Sequence, residues 1–260
     1  MDIQIIVAAH KQFQMPSDDI YLPLQVGAEG KESIGYVRDD TGDHISGKNP
    51  HYCELTGLYW AWKNLRADYI GLVHYRRYFT NPHVLLPGVR SREKLLDRQH
   101  LEKLLQTHDI VLPRRRNYWI ENLYTHYAHT HYAEHLIVTR EILAERCPEY
   151  LESSDTVMGQ TKAHMFNMMI MSREKLDAYC KWLFPILEEL EQRIDASAYD
   201  DFQARYPGRV SELLLNVWME QGAYSCYELP VTTLGHVQWG RKIASFLKAK
   251  LLGKKYDKSF

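Results

Sequence analysis

Apolar and polar positions divide the chain into short β-branched runs separated by longer stretches of helical periodicity. The opening run, Ile3–Ala9 (IQIIVAA), is apolar on both faces, as a central strand of a helix-covered sheet is. Runs of the same kind recur at Tyr69–Val73, Asp109–Leu112 and His164–Met171, and a short one at Ile34–Val37 sits inside the polar, glycine-rich stretch 27–49. Asn49 reads as an N-cap with Pro50 at the first helical position, and Leu55, Leu58, Tyr59 and Trp62 follow at helical spacing. Helical patterns cover about 92–106 and 119–146. A third begins after Ser172, with Leu176, Cys180, Leu183, Leu187 and Leu190 inward and a kink expected at Pro185. A shorter helix is expected over Ser211–Gln221, stopped by Gly222. Strands alternating with helices predict an α/β fold, a mostly parallel sheet with helices on both faces, whose ligands gather at the carboxyl edge of the strands.

Composition narrows the class without changing that picture. With 260 residues, 45% hydrophobic, 25% charged and only 14 Gly and 10 Pro, the chain is an ordinary globular one rather than disordered or collagen-like. No run reaches the roughly 18 apolar residues of a membrane span, and Met1-Asp2 does not begin a signal peptide, so a cytoplasmic location is expected. Cys53, Cys147, Cys180 and Cys226 form no Cys-x-x-Cys pair and read as small apolar core residues. Residues 241–260 hold seven basic side chains against Asp257, a charge of +6, which leaves −7 on residues 1–240 out of a total of −1. Ile243, Phe246, Leu247 and Leu251 recur at helical spacing within that tail. It reads either as a basic amphipathic helix suited to an anionic membrane surface or as a solvated terminus. The acidic body argues against nucleic acid as a partner.

Candidate chemistry concentrates where strands end. His10-Lys11 follows the first strand, His74-Tyr75-Arg76-Arg77 the Tyr69–Val73 strand, and Arg114-Arg115-Arg116 the Asp109–Leu112 strand. A Walker loop is absent, and Gly27-Ala28-Glu29-Gly30 lacks the dinucleotide-fold spacing. Fixed cations of this kind can hold a diphosphate and stabilise its departure, or they can pair with the body's surplus carboxylates. Asp39, Asp40 and Asp43 can hold Mg²⁺ or Mn²⁺ beside a substrate phosphate, or serve as turn aspartates around Asp40-Thr41-Gly42. His131-Tyr132-Ala133-Glu134-His135 fits the inverted zinc-peptidase pattern, with a polar, aromatic helix face as the alternative. Glu212 is either a general base or a glutamate complementing a helix dipole. The 18 tyrosines and 6 tryptophans, clustered at Tyr75/Tyr78/Phe79 and Tyr118/Trp119/Tyr124/Tyr127, suit a nucleobase or sugar face and equally a core.

Six strings in order resemble one family. They are Ile5–Lys11 (IIVAAHK), Val37–Ser46 (VRDDTGDHIS), Asn49–Asn64 (NPHYCELTGLYWAWKN), Gly71–Phe79 (GLVHYRRYF), His164–Met171 (HMFNMMIM) and Ser211–Trp218 (SELLLNVW). Together, over about residues 3–236, they resemble bacterial glycosyltransferases of capsular and exopolysaccharide biosynthesis, first described as a domain of unknown function. The resemblance implies a GT-A-like, Rossmann-type domain over 1–240 with a membrane-associating tail over 241–260. It places the donor at Ala9, His10, Lys11, Asp39, His74, Arg76, Arg77 and His236, and the acceptor side at Tyr118, His131, His164 and Asn167. Where such enzymes carry a metal-binding Asp-x-Asp, this chain has His74-Tyr75-Arg76, so metal dependence by Mn²⁺ or Mg²⁺ is left open. The family is associated with galactofuranosyl transfer from UDP-galactofuranose to a lipid-linked polysaccharide. By that analogy Glu212 is the base, Asp40 or Asp43 its substitutes, and the protein sits peripherally on the inner face of the cell membrane. A zinc hydrolase on His131 and His135 and a non-catalytic carbohydrate-binding module are the rival readings.

Overall fold

Strand β1 (Ile3–Ala9) has six of its seven residues buried, and a strand with no wet face must lie inside a sheet. The computed structural model, which describes residues 1–81 and 94–234, places it there. After β1 come β2 (Tyr21–Gln25), β3 (Val37–Arg38), α1 (Asn49–Tyr52), α2 (Leu55–Asn64), β4 (Tyr69–His74), β5 (Arg77–Phe79), α3 (Arg98–Leu105) and β6 (Ile110–Pro113). The chain continues with β7 (Arg116–Asn117), α4 (Leu123–Thr130), α5 (Glu134–Arg146), α6 (Leu151–Gly159), β8 (Lys162–Ala163) and β9 (Met169–Ser172). It ends with α7 (Arg173–Arg193), α8 (Tyr206–Gln221), β10 (Tyr227–Leu229) and β11 (Val231–Thr233).

These elements form two compact units. The described part of the first comprises residues 1–81, 94–114, 165–181 and 225–234, and that of the second 115–164 and 182–224. The first unit's sheet runs β10-β6-β9-β4-β1-β2-β3, with β5 antiparallel to β4 and β11 antiparallel to β5. All neighbours along that path are parallel except at β9, which runs against β4 and β6. The expected α/β architecture, a mostly parallel sheet with helices around it, is what the chain adopts. Ile3, Ile5, Val7, Val73, Val111 and Ile170 meet in one buried cluster. The second unit is helical, with α4, α5, α6 and α8 beside the β7–β8 ribbon. There Val210, Leu213, Leu214, Val217 and Trp218 of α8 are buried.

Several expected elements are interrupted, each for a local reason. The helix from Asn49 breaks at Cys53, whose φ of 53° lies in the left-handed region. Asn49 therefore does not cap a helix; its amide donates to the Cys53 carbonyl (2.7 Å), which also accepts from the Thr56 hydroxyl (3.2 Å). The run His164–Met171 is not one strand, because Phe166 (φ 78°) and Asn167 (φ 52°) are both left-handed and pairing begins only at Met169. The pattern over 119–146 splits at His131, which is extended (φ −132°, ψ −165°) and ends α4. Helix α8 starts at Tyr206, so Glu212 lies in its second turn and not at its N-terminus. The strand expected over 34–37 is reduced to Val37–Arg38. Of the cysteines, Cys147 and Cys180 are buried as expected, while Cys53 and Cys226 are half-buried. Ser172 accepts from the Lys175 amide at the start of α7, and Pro185 lies inside that helix.

Gly71 of β4 lies between β1 and β9 with no room for a side chain. A Cβ there would stand 2.9 Å from Ile170 Cγ1 and 3.1 Å from both Ile5 Cγ1 and the Met169 carbonyl oxygen. Gly71→Ala is expected to cost about 1–3 kcal/mol by overpacking, read as a lower urea midpoint at unchanged slope.

Candidate functional site

The order of the sheet defines a crevice in the first unit. From β1 the chain steps outward to β2 and β3, then crosses back to β4 on the other side of β1. Connections leaving neighbouring parallel strands in opposite directions open a gap beyond their carboxyl ends, where ligands bind in open α/β sheets. Those ends lie side by side: Ala8 is in register with His74, and the Ala8 carbonyl accepts from the Tyr75 amide (3.1 Å). Ala9 is buried and its carbonyl accepts from Val26 (3.0 Å), so it shapes the edge through its backbone.

Tyr75 is the hub of the crevice. His10 (5.2 Å) and Phe13 (5.4 Å) meet its ring edge-to-face, with Lys11 Nζ 5.9 Å and the Arg76 guanidinium carbon 5.3 Å from its centre. Lys11 and Arg76 come from strands separated by more than sixty residues, yet both stand exposed around one ring. Beside them, Gln12, Phe13, Ile34, Gly35 and Tyr36 line an open cleft of about 540 Å³. The Tyr36 hydroxyl accepts from the Phe13 amide (2.9 Å) and donates to its carbonyl (2.8 Å), which pins the two loops that form the cleft.

His74 and Arg77 act differently from the clamp expected of them. His74 Nε2 lies 2.7 Å from the Phe166 carbonyl, which can only accept, so that nitrogen carries the proton and is engaged. Arg77 stacks over the Phe166 ring at 4.6 Å. Both therefore support the left-handed Phe166-Asn167 bend. Asn167 is fully buried, and its amide donates to Glu54 Oε1 (2.7 Å) beside the Cys53 break. Two strained backbone segments far apart in sequence are thus tied by one side-chain hydrogen bond. Tyr75 is marked in the sequence by its strand-end run and aromatic cluster, whereas Glu54, Phe13 and Tyr36 carry no site signal of their own, although Glu54 falls inside one of the resembling strings.

The three aspartates do not converge. Asp39 is fully buried and accepts four hydrogen bonds: Gly27 N (2.9 Å), Ala28 N (3.0 Å), Ser46 Oγ (2.5 Å) and Thr56 Oγ1 (2.7 Å). It fixes the glycine-rich loop rather than touching a ligand, which corrects its expected donor contact. Asp40 is held bidentately by Arg38 (2.6 and 3.0 Å). That guanidinium keeps its carboxyl below the usual range and makes it a poor base. Asp43 faces water, with Tyr59 Oη at 3.1 Å and Lys63 Nζ at 3.8 Å. Gly42 has φ 64°, as the turn reading requires. Among the described residues no three His, Cys, Asp or Glu side chains form a metal-holding group, and of the three aspartates only Asp43 has its carboxylate open to solvent.

The remaining candidates belong to the second unit or lie outside the described residues. His135 is fully buried with both ring nitrogens engaged, Nδ1 by Tyr127 Oη (2.9 Å) and Nε2 by Tyr199 Oη (3.3 Å). His131 stands beyond the end of α4, so the two histidines do not share a helix turn and the zinc-hydrolase reading is overturned. His131 Nδ1 lies 3.1 Å from Gln203 Oε1 and 3.4 Å from Arg209 Nη1. Arg209 also stacks on Phe202 (3.9 Å). Asn216 clamps the His164 backbone, accepting from its amide (2.8 Å) and donating to its carbonyl (2.9 Å). Glu212 is half-buried, and its carbonyl accepts from Asn216 (2.8 Å). Tyr118 lies over His126 at 4.1 Å. Arg115 and Arg116 lie in this unit, whereas Arg114 follows β6 in the first, its amide bonded to the Leu229 carbonyl (2.9 Å). His236 and the 241–260 tail lie outside the described residues.

Fold and crevice define an α/β protein with a cationic, aromatic-centred candidate site at the carboxyl edge of its sheet. The chain belongs to the family described as a domain of unknown function, DUF4422, which matches residues 4–223. No curated protein matches it. Among solved structures it is similar to one described as "WbbM bifunctional glycosyltransferase apo structure", at 30% identity, a TM-score of 0.84 and 91% coverage of this chain. The match spans 46% of that protein, so this chain corresponds to about half of it. No helix among the described residues is long and apolar enough to cross a membrane.

Burial, and next the Arg209 charge, lower the His131 pKa from 6.5 to about 3, with smaller lowering from His135 and His126 against a raising hydrogen bond to Gln203. Below pH 6.5 the unfolded chain takes up a proton at this site that the folded one refuses. Its stability should therefore fall as pH drops from about 6.5 towards 3. His131→Gln should flatten that part of a stability-against-pH curve measured by chemical denaturation.

Proposed function

We propose that this chain is a glycosyltransferase that takes a nucleotide-diphosphate sugar, with the diphosphate in the crevice between the ends of β1 and β4. The observation that carries the reading is the placement of Lys11 and Arg76 around Tyr75 at the reversal of strand order in the sheet. Two exposed cations on a rigid aromatic mount suit a diphosphate leaving group, whose charge grows as the sugar departs. The cleft of Phe13, Ile34 and Tyr36 offers flat apolar surface to the nucleobase. Similarity over 91% of the chain to a protein described as a bifunctional glycosyltransferase supports the same class.

In the reaction, the acceptor hydroxyl oxygen forms a bond to the anomeric carbon and loses its proton to a carboxylate. The bond from that carbon to the diphosphate oxygen breaks, and its electron pair leaves with the nucleotide. Glu212 is the carboxylate assigned here, since Asp40 is paired and Asp39 enclosed. His164, Tyr118 and His131 are assigned to the acceptor side, with His164 held by Asn216; Asn167, enclosed and bonded to Glu54, is assigned a supporting role. The proposed donor is UDP-galactofuranose, and the proposed acceptor is a lipid-linked surface polysaccharide at the inner face of the cell membrane. GT-A character follows from the same resemblance.

Calorimetric titration with UDP tests the crevice. Lys11→Ala and Arg76→Ala are each expected to weaken binding by about ten- to a hundredfold, the loss of one charge-assisted contact; unchanged affinity in both would overturn the site. Glu212→Gln is expected to keep UDP affinity and lower kcat by about 10²–10⁴ in a UDP-release assay with acceptor lipid. UDP binding without release in any acceptor lipid would return the protein to a binding module.

A further inference from the structure

We propose that the loop after β7 in the second unit is a membrane-docking tip that places Trp119 and Ile120 in the interfacial region of an anionic bilayer. Trp119 is 81% exposed and Ile120 71% exposed, the two most exposed large apolar side chains among the described residues. Large apolar groups standing together in water at a loop tip mark an interaction surface. Their exposure is not slackness. Trp119 has φ 61°, a conformation that bulky residues rarely adopt, and the Ile120 amide bonds the Tyr118 carbonyl across it (2.7 Å) in a tight γ-turn. The Trp119 amide donates to Asn117 Oδ1 (2.9 Å), and the Tyr118 amide to Thr161 (2.8 Å). Backbone strain held by this wiring presents the indole outward at a fixed place.

Charge chooses the occupant. Arg115, Arg116 and Lys162 lie in the ribbon that carries the tip, all exposed, with Asn117 and Lys162 directly opposite in β7–β8 and the Arg116 guanidinium over the Tyr118 ring (5.1 Å). The loop's single carboxylate, Glu121, turns inward: its side chain is 9% exposed and it accepts from His126 (3.1 Å) and His129 (3.2 Å). A tryptophan and an isoleucine next to exposed cations match a surface with anionic headgroups above an acyl boundary, where indoles settle. A protein partner is the competing occupant, but the loop's one carboxylate is turned inward, which leaves its outward charge all positive. The proposal does not rest on the donor crevice, nor on the basic tail.

The test uses the full chain with vesicles of phosphatidylcholine and about 30% phosphatidylglycerol, and with phosphatidylcholine alone. Co-sedimentation should give binding to the anionic vesicles, lowered about tenfold or more in Trp119→Ser/Ile120→Ser, as apolar burial of those two groups is lost. Lipids brominated near the headgroup should quench part of the tryptophan fluorescence, and Trp119→Phe should remove that part while retaining binding. Since the tail is identical in every variant, these differences report the tip alone. Equal binding by the double serine variant, or quenching unchanged in Trp119→Phe, would overturn the proposal. Loss of binding to phosphatidylcholine and anionic vesicles alike, accompanied by a lowered melting temperature, would be misfolding; Trp119→Phe at wild-type melting temperature then decides by its quenching alone.

Discussion

The constraint on which the candidate site depends is the reversal of strand order between β1 and β4. These strands are parallel neighbours with register from Ile3↔Tyr69 to Ala8↔His74, and the segments leaving them part to opposite sides. No backbone can fill the gap that results, so its chemistry is whatever the first residues past each strand supply. Here those residues are His10 and Lys11 on one side and Tyr75 and Arg76 on the other. The aromatic ring matters as much as the cations, because long side chains lose much rotational freedom when ordered, and a ring face reduces that loss by holding their aliphatic stems.

A site of loops needs something rigid behind it, and the first unit uses buried polar groups for this. Asp39 gathers two backbone amides and two hydroxyls from three separate segments, so each loop's position is conditional on the others. A buried carboxylate that lost these donors would be an uncompensated charge, which makes the arrangement all-or-none rather than adjustable. The Glu54–Asn167 bond extends the same logic to the far side of β4, where His74 and Arg77 grip the Phe166 bend. Of the basic side chains at the ends of β1 and β4, Lys11 and Arg76 are exposed around Tyr75, whereas His74 and Arg77 are engaged with Phe166.

The architecture was legible because it is written in periodicity. Ile3–Ala9 and Tyr69–Val73 are apolar on both faces, and only a helix-covered parallel sheet accommodates that in succession. The convergence of Lys11 with Arg76 followed from the rule about strand ends once the alternation was recognised. What escaped was set by single side chains answering distant ones. Asn49 looks like a cap because its type and the following proline fit one, but Cys53's carbonyl is what its amide satisfies. Asp39, Asp40 and Asp43 look alike in sequence, and only burial separates an enclosed anchor, a paired carboxylate and a surface turn. The His131-to-His135 spacing is helical on paper; the chain instead turns extended at His131, and Tyr127 and Tyr199 occupy both His135 nitrogens.

Left-handed backbone at Cys53, Phe166, Asn167 and Trp119 sits in residues where a glycine would have adopted it with less strain. Side chains are kept there at a conformational cost of about 1–3 kcal/mol each, so each position must require its side chain as well as its bend. At Asn167 the requirement is visible, since the amide reaches Glu54, and at Phe166 the ring carries Arg77. At Trp119 the indole meets water, which gives folding no reason to prefer it over glycine. The strain at Phe166 and Asn167 is answered by contacts within the fold, whereas the Trp119 indole stands exposed, and the proposed membrane contact is what would answer it.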